Sequence, residues 1–126
     1  MSKTHTSAFL SLVDDAKSLV REVTTDALRA RQAANPDLVL VDVREDDEWR
    51  ARRVTGARHL GKGVIERDIE TAVPDTGAEI VLYCGGGFRS ALAADALQTM
   101  GYTNVASLDG GWRALQEAGV ATESDG

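Results

Sequence analysis

Glu79-Ile-Val-Leu-Tyr-Cys-Gly-Gly-Gly-Phe-Arg-Ser90 runs from an apolar segment straight into a cysteine and three glycines. Residues 79–83 carry no polar alternation after Glu79, the pattern of a strand buried on both faces of a parallel sheet. Ser90 to Met100 is rich in Ala and Leu, strongly helical, and stopped by Gly101 at the C′ position. A strand, a glycine loop and a helix therefore follow one another without a break. Leu38-Val-Leu-Val-Asp42 upstream and Asn104-Val-Ala-Ser-Leu108 downstream repeat the short apolar run. Strands alternating with helices in one chain mean an α/β fold with a mainly parallel sheet.

Further out, Phe9, Leu12, Val13, Ala16, Leu19 and Val20 recur at helical steps and form an amphipathic first helix. Its apolar stripe either packs on the domain or meets a second chain, and packing is the default. A short step at Glu22-Val23 leads to Thr24 or Thr25 as the N-cap of a helix through about Ala33. A charged helix is expected near Asp46 to Arg52 with Trp49 as its inward anchor. A brief strand follows in Gly56 to Leu60, then a helix from Val64 to Val73 and a turn at Pro74 to Gly77. Gly110-Gly111 makes a turn, Trp112 to Ala118 a closing helix, and Thr122 onward a frayed tail. The expected division is an N-terminal helical extension over 1–20, one domain over 21–121 and a flexible tail over 122–126.

The chain has 126 residues, enough for one domain with a core of its own. Its 43% hydrophobic and 27% charged residues are those of an ordinary globular protein. A net charge of −6 argues against a general nucleic-acid binder, which needs a basic face. One cysteine excludes an internal disulfide and a dithiol couple, and with two histidines it makes a poor zinc site, so no metal or cofactor is expected. Ala8 to Val13 is too short for a signal peptide's apolar region and is interrupted by Asp14-Asp15. No stretch approaches a membrane span. The expectation is a cytoplasmic protein with a reduced thiol.

A cysteine where a parallel strand gives way to a helix lies at the sheet edge where ligands bind and near the positive end of a helix dipole, which favours the thiolate. The three glycines free the backbone to turn N–H groups inward as an anion nest. A free cysteine is usually a small buried hydrophobe. A core-filling cysteine needs neither glycines nor the Arg89-Ser90 pair beyond them, so Cys84 reads as a nucleophile.

Tyr83-Cys-Gly-Gly-Gly-Phe-Arg-Ser90, with its helix and Gly101-Tyr102, resembles the active-site segment of rhodanese-like domains. Leu40-Val-Asp-Val-Arg-Glu45 with Glu48-Trp49 is similar to the family's Asp-x-Arg strand end. Val54-Thr-Gly-Ala-Arg-His-Leu60 and Leu108-Asp-Gly-Gly-Trp112 resemble its flanking elements, so the likeness spans about Glu22 to Val120. Departures lie at Arg52-Arg53-Val54-Thr55-Gly56, which lacks a customary proline and histidine, at Gly61 in place of proline, and at Leu115 in place of an aromatic.

The resemblance implies a five-stranded parallel sheet flanked by helices, and sulfur transfer. Cys84 would take the outer sulfur of an anionic donor such as thiosulfate and pass it to cyanide or a thiol. The N–H groups of Gly85, Gly86, Gly87 and Phe88 would cradle the negative charge. With no second cysteine, the acceptor is external. Arg89 either contacts the donor or pairs with a nearby carboxylate; Ser90 reads as a helix cap with a reach toward the thiolate. Asp42 and Arg44 look like a structural pair, His59 a structural histidine, and His5 is given no role. Seven basic residues between Arg44 and Arg67 are interleaved with acids and read as solvated surface.

Four residues separate Cys84 from Arg89, whereas phosphatases and arsenate reductases of related architecture use five to surround a tetrahedral oxyanion. No Asp in the Cys loop offers itself as a general acid. Sulfur transfer is therefore preferred over phosphate-ester hydrolysis. A non-catalytic rhodanese module and a persulfide carrier for one partner protein are the competing readings. Expected partners are small sulfur donors and acceptors, with neither nucleic acid nor membrane, and the chain is expected to be a monomer or weak homodimer.

Overall fold

The computed structural model describes residues 5–125. Residues 1–4 and 126, the outer ends of the expected extension and tail, lie outside the described residues. Among the described residues no helix is long and apolar enough to cross a membrane.

Strands β1 (Arg21–Val23), β2 (Val39–Asp42), β4 (Arg58–His59), β5 (Ile80–Tyr83) and β6 (Val105–Leu108) form one parallel sheet in the order β1-β6-β5-β2-β4. The period of two along β5 sends Ile80 and Leu82 to one face and Val81 and Tyr83 to the other. Both faces are covered, which is why the strand reads as an unbroken apolar run. One layer is built by α4 (Ile65–Ala72) and α5 (Phe88–Thr99), through Ile65, Ile69, Ala94 and Leu97. The other is built by α2 (Thr25–Ala34) and α6 (Gly111–Glu117), through Leu28 and Leu115. Cys84 continues the alternation onto the α5 side and is 1% exposed.

Thr24 is the N-cap of α2, its hydroxyl accepting from Ala27 N–H at 3.1 Å. Helix α1 (Ser7–Leu19) takes the default course and packs along α5, burying Val13 and Ala16 while Leu12 and Leu19 remain exposed.

Three expectations are corrected. Thr122–Glu123 is a strand, β7, paired antiparallel with β3 (Arg53–Val54), where a frayed tail was expected. Arg53 reaches Asp125 at 2.6 Å and Glu123 at 3.4 Å, so the acidic end is held by the basic segment opposite. Trp49 anchors at the rim rather than inward. Helix α3 (Asp46–Ala51) has no buried residue, and the half-buried Trp49 ring stacks on His59 with Arg53 over it. Helix α5 begins at Phe88, two residues before Ser90, so only Gly85 to Gly87 separate Cys84 from it.

Two glycines are demanded by the backbone around Cys84. Gly87, the N-cap of α5, has φ +97. Gly111 has φ +54, and a Cβ there would lie 2.5 Å from the Cys84 carbonyl oxygen and 2.8 Å from the Gly85 carbonyl carbon. Only a residue without Cβ lets α6 approach the Cys loop this closely. Gly111→Ala is expected to cost about 3 kcal/mol, left-handed strain plus overpacking. Gly119→Ala, at φ +73 with nothing within 4 Å, should cost about 1 kcal/mol, the strain alone. Denaturant unfolding of both variants measures the difference; equal losses would show that α6 does not press on the loop.

Candidate active site

Cys84 lies one residue beyond β5, at the carboxyl edge of the sheet and beneath the N-terminus of α5. The first N–H groups of a helix have no partner within it. Here two of them find sulfur: Gly87 N–H donates to Cys84 Sγ at 3.1 Å and Ser90 N–H at 3.4 Å. The thiol in turn donates to Ser90 Oγ at 3.5 Å, and that hydroxyl shares a 2.8 Å hydrogen bond with Ser107 on β6. Ser90 is thus not the helix cap; Gly87 is, and Ser90 is a buried support for the sulfur. Its partner Ser107 was not singled out in the sequence, where a serine in a strand gives no signal of what it faces.

The carbonyls of the loop are turned the other way. Cys84 C=O accepts from Trp112 N–H at 2.6 Å, and Gly85 C=O accepts from Arg113 N–H at 3.4 Å. Every peptide here is trans, so the N–H on the far side of each bond points opposite to its carbonyl. The N–H groups of Gly85 and Gly86 therefore aim away from α6. Gly86 needs its lack of side chain least, since a Cβ there would meet nothing within 4 Å.

Arg89 makes the ion pair and also lines the cleft. Its guanidinium donates to Glu48 at 2.9 Å, bridging α5 to α3, and lies 3.1 Å from where a Cβ on Gly85 would stand. The Glu48 bond raises the Arg89 pKa against the opposing effect of burial. Partial burial alone would raise the Glu48 carboxyl, but Arg89 and the Glu45 N–H outweigh it and hold it below its usual range. Glu48 appeared in the sequence only as part of a family motif; its contact with the loop depends on how α3 is placed.

Asp42 and Arg44 form the structural pair expected of them. The Asp42 carboxylate accepts from Arg44 N–H, Nε and Nη2 at 2.7–3.1 Å, both residues being buried. Arg44 Nη2 also donates to Arg52 C=O at 2.6 Å, and its guanidinium lies 4.4 Å from the Trp112 ring centroid. His59 is structural too: Nε2 contacts Arg44 C=O at 2.8 Å while the ring stacks on Trp49.

A cleft of about 940 Å³ opens over the sulfur, lined by Cys84, Gly85, Gly86, Phe88 and Arg89 together with Glu48, Trp112, Arg113, His5 and Phe9. Gly87 and Ser90 lie beneath it, in contact with the sulfur. Among the described residues none of the seven basic residues from Arg44 to Arg67 lines the cleft. His5 and Phe9 do, although the sequence reading gave His5 no role.

Because the Glu48 carboxyl is held low, the pair with Arg89 is complete above the unfolded value of 4.5 and is lost as pH falls through the lower folded value. Glu48→Gln should cost about 0.5 kcal/mol at neutral pH, the scale of a partly exposed pair. That cost should shrink toward zero below the folded value. Unfolding of parent and variant across the acid range checks it; a pH-independent difference would contradict the pairing.

Comparison with known proteins agrees with this geometry. Residues 24–118 match the family described as Rhodanese-like domain. The thiosulfate sulfurtransferase GlpE of Pseudomonas putida is 36% identical over 97 residues, covering 75% of this chain and 83% of the relative. A solved Rhodopseudomonas palustris protein of unknown function, suggested to be a tyrosine phosphatase, superposes with a TM-score of 0.79 at 33% identity over 98% of this chain and 99% of that one. An Escherichia coli rhodanese solved with anions gives 0.60 at 30% identity, covering 69% and 98%. Strand order, Cys loop and sequence match agree: the chain belongs to the rhodanese-like domain family.

Proposed function

We propose that the protein is a sulfurtransferase in which Cys84 carries a sulfur atom from thiosulfate or a similar anionic donor to cyanide or a thiol. The Cys84 thiolate attacks the outer sulfur; an S–S bond forms as the donor's S–S bond breaks, and sulfite leaves with the electron pair. The terminal sulfur of the persulfide is then attacked by the acceptor, and the Cys84 thiolate leaves. With cyanide the product is thiocyanate. No net oxidant or reductant is required.

The observation that carries this reading is the pair of helix-terminus N–H groups on Cys84 Sγ, from Gly87 at 3.1 Å and Ser90 at 3.4 Å. Such donors stabilise negative sulfur before and after loading without reorganising. The N–H groups of Gly85 and Gly86, turned from α6, suit the added sulfur. The name of the Pseudomonas putida relative and the anions of the Escherichia coli structure support an anionic sulfur donor.

The suggestion made for the Rhodopseudomonas palustris protein raises phosphate-ester hydrolysis as a second reading. Two features weigh against it: the loop is Cys-x4-Arg, and the Arg89 guanidinium is engaged by Glu48 at 2.9 Å. A binding module would have no need of a donor-lined thiol at the base of a cleft. A carrier for one partner protein shares the loading step and differs only in its acceptor.

Intact mass before and after thiosulfate tests the proposal. The parent should gain one sulfur atom, lose it to cyanide, and show no Cys84-dependent hydrolysis of p-nitrophenyl phosphate. Cys84→Ser should gain nothing. Phosphate-ester turnover lost in Cys84→Ser, with no sulfur gained by the reduced parent from thiosulfate, would reverse the assignment.

A further inference from the structure

The amino-terminal helix lies outside residues 24–118, the segment that matches the family, yet it supplies part of the cleft wall. Its first turn is fixed by Thr6, whose hydroxyl accepts from Phe9 N–H at 3.2 Å. Its far end is tied to α5 by Gln98, which donates to Leu19 C=O at 3.0 Å. Three half-buried rings then meet at the cleft mouth. His5 lies 5.1 Å from both Phe9 and Phe88, and Phe9 lies 6.2 Å from Phe88, within the range of edge-to-face aromatic contact. The Lys17 ammonium sits 5.1 Å from the centroid of the Phe88 ring and holds it against α1. Phe88 is the first residue of α5, so only Gly85 to Gly87 separate this wall from Cys84.

The other side of the cleft is charged, with Glu45 and Glu48 beside Arg89 and Arg113. Arg89 is occupied by Glu48, while Arg113 on α6 is exposed and its backbone is tied to the Cys loop through Gly85 C=O. A cleft of about 940 Å³ is near the upper end of the range for drug-sized ligands. Cyanide fills a small part of it.

We propose that α1 forms an aromatic specificity wall, with Phe9 at its centre, for organic thiol acceptors that carry an apolar body and an anionic end. The apolar body lies against His5, Phe9 and Phe88, the anionic group faces Arg113, and the acceptor sulfur meets the persulfide on Cys84. The acceptor assignment rests on the sulfur-transfer reading; the wall itself does not, and the test separates them.

Cys84 is first alkylated with iodoacetate and with 4-(bromomethyl)benzoate, both anionic, one small and one aromatic. In each case the thiolate displaces halide and forms a C–S bond. In Phe9→Ala the rate with the aromatic reagent should fall about fivefold relative to iodoacetate, the scale of one lost aromatic contact. Phe9→Tyr should keep the parent ratio, and His5→Ala, the milder change, should move it in the same direction. Discharge of the persulfide to 4-mercaptobenzoate should show KM raised to a similar extent in Phe9→Ala with kcat unchanged, and discharge to cyanide should be unaltered. Equal effects on both reagents, or none in either variant, would overturn the wall. A parent that shows the alkylation preference but gains no sulfur would overturn the acceptor assignment and the sulfur-transfer reading, leaving the wall in place.

Discussion

The site depends on the contact between the start of α6 and the carbonyls of Cys84 and Gly85. Trp112 N–H and Arg113 N–H take those two carbonyls at 2.6 Å and 3.4 Å, and the trans peptide then turns the neighbouring N–H groups the other way. A loop with its carbonyls turned inward would repel negative sulfur. Gly111 makes the contact physically possible, because the space a Cβ would need is filled by the Cys84 and Gly85 backbone. The cysteine, its donors and α6 are one unit rather than a nucleophile on a free loop.

That unit is braced from β2. Asp42 holds Arg44 through three donors and four hydrogen bonds, and Arg44 lies under the Trp112 ring whose backbone grips the Cys loop. A buried ion pair is costly unless its remaining donors and acceptors are met, and here Arg52 C=O takes a further Arg44 hydrogen. On the opposite flank the Arg89–Glu48 bond ties α5 to α3. Arg44 and Arg89 are both paired with carboxylates, whereas Arg113 stands exposed on the cleft wall.

Much of this was legible in the sequence for a definite reason. Strands buried on both faces write themselves as unbroken apolar runs, so β2, β5 and β6 could be read directly, and with β5 came the position of Cys84 at a sheet edge. Cysteine followed by glycines carries its own chemical signal. What could not be read was whatever depends on two distant segments meeting. Thr122–Glu123 is too short and polar to announce a strand; it becomes one because Arg53 and the edge of Val54 are waiting for it. Ser107 and Glu48 are common residues whose importance lies wholly in what they face. Phe9 opens the segment that periodicity marks as a helix and His5 lies just ahead of it, but periodicity does not say which helix that segment covers or which cleft it reaches.

Sulfur transfer at Cys84 requires a loop already arranged to hold a negatively charged sulfur and its successor. A crystal structure of the thiosulfate-treated protein tests it most directly. A second sulfur is expected, bonded to Cys84 Sγ and within hydrogen-bond distance of loop N–H groups between Gly85 and Phe88, with the Trp112–Cys84 hydrogen bond unchanged. A terminal sulfur turned out of the loop toward solvent, or a loop that rebuilds to accommodate it, would show that the loop is not preorganised for it.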